Sequence, residues 1–487
     1  MTRTHRAALG VLTLLAAAAA LAAPALAQPA APAAAPDTMV AATGQPGAER
    51  WTLARCITTA LERGGDARAA RARTGQAKGA ATAAWGGLLP NLSGGLSYGQ
   101  SRPDRVAGLV STFAITDTTQ PGDPTYQYDL LLDRREDYSA TASLDMNLFN
   151  LPAYAEKQRQ NRLSRGAVLG EAETRNTVAF NVKRQYFELL KAARLAQVSR
   201  ESEKLSRDEE TRSEALFQVG TVARGDVLKA RARRAQTQLD RIRAENQVEV
   251  QRSRLKQVMG VPPGTAFEIE EIMEEGVALP DSAGTIQNAL RVRPLLAQSQ
   301  LTERAARSRL FGAWTQRVPR VTGSLLADRS RVKARYEYEA ADPSARPIAT
   351  EEEDWYSTVW QGRVAVTIPI FDGLAIEGGI RSARGAVLEA ESDRRQRELD
   401  IAVEVQTAWL ALREAQQRIE VAREGLASAE EDYKFSKGRY DLGAGTFLDL
   451  LTAEVNLSQA KRAHVEALAD AKIAEADLER AVGEKRY

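Results

Sequence analysis

The chain has 487 residues, with 66 Lys+Arg against 64 Asp+Glu; its first 27 residues hold Arg3 and Arg6 and no acid, so without them the balance is 66 − 2 = 64 bases to 64 acids. That neutrality argues against a nucleic-acid binder, which carries a basic excess. One cysteine (Cys56) and two histidines (His5 and His464) exclude an intrachain disulfide and a zinc site, and leave one couple at most for a Cys-His nucleophile.

The N-terminus reads as a secretory signal. Arg3 and Arg6 form its basic region, Ala7 to Leu21 its apolar run, and Ala25-Leu26-Ala27 a small-x-small cleavage site, so cleavage is expected after Ala27. Residues 28–49, rich in Ala, Pro, Gly and Gln, read as a flexible leader. No later run reaches the ~18 apolar residues of a transmembrane helix, so a membrane-embedded form must cross as β-strands.

Beyond the leader the chain is duplicated. Ile57, Leu61, Trp85 and Pro90 are matched 229 residues on by Ile286, Leu290, Trp314 and Pro319. Phe217-Gln-Val-Gly220 with Asp226 is matched 223 residues on by Tyr440-Asp-Leu-Gly443 with Asp449, as are Leu255 and Gly260 by Leu478 and Gly483. Each half reads helix, strand, loop, strand, long helix, turn, helix. A first helix is expected over residues 50–85. Leu92, Leu96 and Tyr98 alternate with Ser93, Gly95 and Ser97 in the first strand. In the second, Tyr138, Ala140, Ala142, Leu144, Met146 and Leu148 alternate with Ser139, Thr141, Ser143, Asp145 and Asn147. Val321–Ala327 is a weaker strand, and Trp360 to Ile370 alternates again. About ten residues each suits tilted, bilayer-crossing strands. Residues 101–137 and 329–358 read as long polar loops.

The long helices are expected over 153–218 and 374–438, each ~100 Å at 1.5 Å per residue, with a shorter one over 222–259. Ile401, Val405, Ala408, Leu412, Ala415, Ile419, Ala422, Leu426, Ala429 and Tyr433 hold a 3.5-residue seam that predicts left-handed supercoiling. Leu228, Ala232, Ala235, Leu239 and Ile242 form a briefer one. The implied assembly is a helical cylinder with a sheet at one end. Four strands cannot close a barrel, whereas three chains would supply ~12.

The duplicated order, the paired Trp-x4-Pro helix ends and the paired turns resemble the TolC family of outer-membrane efflux and secretion ducts, over roughly residues 50–487. The resemblance implies a homotrimer, mainly α, with a 12-stranded β-barrel in the outer membrane of a Gram-negative bacterium and a coiled-coil periplasmic tunnel. It assigns 50–90, 153–319 and 374–487 to the tunnel, 261–284 to an equatorial connection, and 91–152 and 320–373 to strand pairs with extracellular loops. The implied function is a passive exit duct of a tripartite efflux pump or type I secretion system. Its partners would be a periplasmic adaptor (membrane fusion protein), an inner-membrane transporter of RND, ABC or MFS type, and outer-membrane lipid. The alternative is a periplasmic coiled-coil adaptor without a pore.

By the same resemblance, Val219-Gly220-Thr221 and Leu442-Gly443-Ala444 match the adaptor-docking turns, and Asp226, Tyr440 and Asp449 the periplasmic gate. Two of these also have plain structural readings. Gly220 and Gly443 suit helix C-caps with φ > 0, and Thr446-Phe-Leu-Asp449 resembles a capping box. Thr452 stands where the family can carry a second acid, and Gly445 where it can carry a gate Arg. Gly95-Leu-Ser97-Tyr-Gly99 fits a nucleophile motif without the strand–turn–helix elbow the chemistry needs. No catalytic residue, cofactor or metal ligand set is expected.

Overall fold

The computed structural model describes residues 50–102, 112–116, 125–271, 279–340 and 350–483. The signal peptide, its cleavage point and the leader lie outside the described residues, as do parts of the expected loops and of the 261–284 connection.

The first helix is two helices, not one. A short strand β1 (Arg50–Trp51) leads into α1 (Leu53–Arg63), and α2 (Gly65–Ala83) follows, ending in a 3-10 turn at Ala84–Gly87. The break is Gly64, extended at φ −61 and ψ 138. The Gly64-Gly65 pair propagates a helix poorly, and the site is crowded. A Cβ on Gly64 would stand 2.3 Å from the Ala60 carbonyl oxygen, and one on Gly260 2.8 Å from that of Arg63.

Strands β2 (Asn91–Ser101), β3 (Thr112–Thr116) and β4 (Thr125–Phe149) precede α3 (Leu151–Gln218) and α4 (Arg224–Met259). Asn150 caps α3 by accepting from the Ala153 N–H at 3.1 Å. A two-residue strand β5 (Glu268–Ile269) pairs in parallel with β1. The second half repeats the plan with α5 (Ser282–Val292), α6 (Pro294–Thr315), β6 (Arg320–Ala340), β7 (Glu351–Thr367), α7 (Ala375–Asp441) and α8 (Phe447–Val482). Its helix break is Arg293, at φ −64 and ψ 123. The cause differs from that at Gly64: the residue before a proline is pushed out of the α region, and Pro294 follows.

The main sheet is antiparallel in the order β2-β4-β6-β7, with β3 added to the far part of β4. Its strands are longer than the hydrophobic alternation alone predicts, at 25, 21 and 17 residues for β4, β6 and β7. Much of the span expected as loop continues the β4–β6–β7 pairing, through Arg135↔Ala334↔Glu353 for example. Backbone pairing does not depend on an apolar face, so alternation marks only part of each strand. Leu92, Leu144, Leu325 and Gly362 share one row, and Ser93, Ser143, Leu326 and Gln361 the neighbouring row on the opposite face.

Two apolar clusters hold the helices. One gathers Cys56, Ile57, Leu61, Val182, Tyr186, Leu190, Leu255 and Met259 around the first break, and the Tyr186 hydroxyl donates to the Glu270 carbonyl at 2.6 Å. The other gathers Leu296, Ile401, Val405, Leu412, Leu478 and Val482. Ile401 to Ala415 of the long seam are buried, and Ile419 to Tyr433 half-buried. The briefer seam is on the open side: Leu228, Leu239 and Ile242 are exposed, while Val227, Ala230 and Thr237 are buried, Thr237 against Ser206 of α3. No described helix is long and apolar enough to cross a membrane.

Candidate functional site

Each hairpin turns where glycine permits a left-handed residue. Gly220 sits at φ +80 and Gly443 at φ +72, with open space where a Cβ would stand. In the first turn the Gly220 N–H donates to Phe217 O at 2.9 Å and the Thr221 N–H to Leu216 O at 3.0 Å. In the second, the Gly443 N–H donates to Tyr440 O at 3.0 Å and the Ala444 N–H to Arg439 O at 2.8 Å. Both are paired C-terminal bonds of the Schellman type, which satisfy carbonyls a helix end leaves bare. Val219 is 73% exposed and Leu442 86%, with Gly220, Thr221, Gly443 and Ala444 exposed beside them. Two apolar side chains held outwards on rigid turns are a contact surface.

The turns differ in how the next helix starts. Thr446 and Asp449 form a full capping box: the Asp449 N–H donates to Thr446 Oγ1 at 3.2 Å, and the Thr446 N–H to Asp449 Oδ2 at 3.2 Å. The hydrogen bonds from Thr446 hold the Asp449 carboxyl below its ordinary range, aided by Arg439. At the first turn the N-cap is Ala223, without a side-chain bond, and Asp226 pairs with Lys229 at 3.2 Å. Gly445 packs closely: a Cβ there would lie 3.2 Å from Arg439 Cβ. Thr452 donates to Leu448 O within its own helix.

Tyr440 joins the two hairpins. Its ring lies 5.8 Å from that of Phe447, and the Arg212 guanidinium stands 5.9 Å from its centroid while pairing with Asp441 at 2.5 Å. Burial raises the Tyr440 pKa, and the Asp226 charge adds to the rise. Of the three gate residues expected from the sequence, Tyr440 and Asp226 are therefore electrostatic neighbours, while Asp449 faces Thr446 and Arg439.

Behind the turns lies a polar layer that pattern reading passed over. Ser199, Ser202, Ser206, Glu209 and Ser213 of α3 are all buried. Ser206 and Thr237 share a hydrogen bond of 2.6 Å, and Glu203 pairs with Arg241 at 2.5 Å and Glu210 with Arg234 at 2.9 Å. Burial raises the pKa of Glu209 and Glu454 and pushes Tyr433 up to about 12. Glu454 has Arg233 at 3.4 Å, whereas one Glu209 oxygen and the Tyr433 hydroxyl are buried without a hydrogen-bond partner among the described residues. Their signal in the sequence was the 3-4-3-4 spacing of Ser, Ser, Ser, Glu and Ser on an otherwise charged helix.

Four sheet strands continued by two helical hairpins of equal length define the protomer of an outer-membrane channel rather than an enzyme. The chain belongs to the outer membrane efflux protein family, whose profile it matches over residues 56–261 and 285–484, one stretch in each half. Protein CyaE of Bordetella pertussis is 25% identical over 282 residues, which are 58% of this chain and 56% of that protein. The fold is that of the outer membrane protein VceC of Vibrio cholerae (TM-score 0.68, 19% identity, 88% of this chain and 96% of that one). It is also that of the Campylobacter jejuni CmeC outer membrane channel (0.69, 17%, 88% and 85%) and of the open state of the Neisseria gonorrhoeae MtrE outer membrane channel (0.63, 16%, 88% and 88%). Membership in an outer-membrane family sets aside the periplasmic adaptor alternative.

Proposed function

We propose that three copies of this chain form an outer-membrane exit duct, through which substrates pass passively from a periplasmic adaptor and inner-membrane transporter to the exterior. The observation that carries this reading is the pair of free sheet edges. Strands β2 and β7 end the order β2-β4-β6-β7 and run antiparallel to each other. The β7 edge of one copy can therefore continue onto the β2 edge of the next without breaking the alternation. Closure removes both edges. Two copies would give about eight strands, whose interior side chains fill; three give about twelve and an open bore. The exposed Leu228, Leu239 and Ile242 supply a helical seam for the neighbouring copy.

In this duct the Leu92/Leu144/Leu325 face meets lipid and the Ser93/Ser143 face lines the lumen. Val219, Gly220, Thr221, Leu442, Gly443 and Ala444 dock the adaptor, and Asp226, Tyr440 and Asp449 form the entrance. The transporter is of RND, ABC or MFS type, in an efflux pump or a type I secretion system. A signal peptide removed after Ala27 delivers the chain.

The test is fractionation and conductance. The protein should sediment with the outer membrane, migrate as a trimer in detergent and conduct ions in planar bilayers. Three Asp449 carboxylates near one axis would favour cations, because low-dielectric walls focus their field. Asp449→Asn should then reduce cation selectivity. A soluble monomer would overturn the duct, and unchanged selectivity in an assembled Asp449→Asn trimer would reduce Asp449 to a cap.

A further inference from the structure

On the sheet's apolar face one row runs Leu96–Ala140–Arg329–Thr358, and the next row away from the helices runs Tyr98–Tyr138–Arg331–Tyr356. Between them lies a crevice of about 500 Å³, lined by Leu96, Tyr98, Tyr138, Ala140, Arg329 and Arg331. Ala140 is short and leaves the floor open. Tyr98 and Tyr138 stack at 4.9 Å, so the upper wall is aromatic.

The two arginines differ. Arg331 is committed: Asp354 accepts from it at 2.9 and 2.6 Å, and its guanidinium lies 5.0 Å from the centre of the Tyr356 ring. Glu136, in the row beyond, accepts from the Tyr138 hydroxyl at 3.0 Å and lies 3.4 Å from Arg134. Arg329 is exposed, its cross-strand neighbours Ala140 and Thr358 are uncharged, and it pairs with no carboxylate among the described residues.

An arginine on a lipid-facing strand is costly unless its charge reaches the headgroup layer or finds an anion. Aromatic rows mark the headgroup level. Arg329 sits one row below such a belt, with its fork free, and guanidinium binds phosphate bidentately. The helices leave the opposite end of the sheet, so this belt lies on the exterior leaflet. We propose that the crevice is a binding site for a phosphorylated, multiply acylated glycolipid of the outer leaflet. Arg329 holds a phosphate, the tyrosine row flanks the sugar, and an acyl chain lies over Leu96, Ala140 and Leu144. This rests on the outer-membrane reading above, but trimer formation and membrane fractionation are scored separately from headgroup preference.

The experiment is native mass spectrometry of the intact, full-length trimer in detergent, titrated with diphosphoryl lipid A, with the same lipid stripped of phosphate, and with phosphatidylglycerol. Diphosphoryl lipid A should be retained about tenfold better than the dephosphorylated form, in line with a charge-assisted bond. Arg329→Gln should remove that preference and Arg329→Lys restore part of it. Arg363→Gln, one residue from Gly362 and on the opposite face, should leave it unchanged. Equal retention of the two lipid A forms by the wild type would overturn the site, as would an undiminished preference in Arg329→Gln. Stronger retention of phosphatidylglycerol would overturn the glycolipid assignment. Should Arg329→Gln fail to assemble, the wild-type headgroup series still decides.

Discussion

The two halves of the chain share one backbone plan and differ in what holds it together. Their long helices have 68 and 67 residues, and the helices that return from the turns 36 each. The breaks at Gly64 and Arg293 stand 293 − 64 = 229 residues apart, and each packs against the left-handed glycine that ends its half, Gly260 or Gly483. Around Gly64 the packing is apolar. Around Arg293 an apolar cluster that includes Leu296 and Val482 is joined by ionic contacts: a guanidinium 3% exposed donates to Glu173 at 3.2 Å, to Glu404, and to the Ala481 carbonyl at 3.1 Å. Nearer the turns, the α3–α4 hairpin is laced by Glu203–Arg241, Glu210–Arg234 and Glu214–Arg231, whereas α7 continues its apolar seam through the half-buried Ile419, Ala422, Leu426 and Ala429. A repeated fold thus preserves where the backbone must bend and cap, and leaves the side chains free to meet that demand by different means.

The largest effect should come from breaking the ionic version of the helix break. Arg293→Ala strands the Glu173 carboxylate and the Ala481 carbonyl, while Glu404 keeps Arg480 at 2.6 Å; by analogy with a broken buried pair this costs ~3 kcal/mol. Gly64→Ala, its counterpart, meets the Ala60 carbonyl at 2.3 Å and is an overpacking change of ~1–3 kcal/mol. Thermal unfolding of the helical circular dichroism signal should rank them in that order; the reverse would mean the ionic site is hydrated enough to spare its arginine.

A pH experiment sharpens the contrast nearer the turns. Burial raises the Glu209 carboxyl; Arg212 and Lys437 oppose the rise, and Asp441 and Asp208 add to it. The folded state therefore holds this proton more tightly than the unfolded one. Its stability falls as pH climbs from the unfolded value through the folded one, and the deficit is complete once pH has passed the folded value. Glu209→Gln should slow amide exchange along the end of α3 at neutral pH and change little in acid. A substitution in the second apolar cluster, such as Leu412→Ala, should instead destabilise by ~2–5 kcal/mol at every pH, because it removes apolar contact and leaves a cavity.

Much of this was legible in the sequence. The duplication, the ends of the long helices and the Ile401–Tyr433 seam follow from spacing and periodicity, because an extended amphipathic helix has few alternatives. The helix breaks were hidden: Gly64-Gly65 and Arg293-Pro294 share a geometry without sharing a residue type. Strand ends were missed because alternation marks where two different solvents meet, while β4 and β6 continue pairing past that point. The Leu228–Ile242 stripe follows from periodicity, but periodicity does not say which neighbour a stripe faces, and in this chain it is exposed. Glu209 and Glu454 look solvated in a charged helix, and only the serines at matching spacing hinted at a buried polar layer. At the turns the capping box was visible as Thr446 and Asp449, whereas the nearness of Asp226 to Tyr440 required two distant segments to meet.

The smallest effect separates capping from charge. The first turn lacks a side-chain cap at Ala223, and the second has one at Thr446. Ala223→Thr should stabilise the start of α4 by ~0.5–1 kcal/mol and Thr446→Ala destabilise that of α8 by ~1 kcal/mol, each read as local amide exchange. Neither substitution changes charge, so neither should move ion selectivity. Asp449→Asn does the opposite: asparagine keeps an oxygen that can accept from the Thr446 N–H, so the cap largely survives while three charges leave the assembled entrance. A selectivity change in Asp449→Asn with none in Thr446→Ala assigns the residue to the field at the entrance. Faster exchange in both, with selectivity untouched, assigns it to the helix end, and the difference between the two turns would then be one of local stability alone.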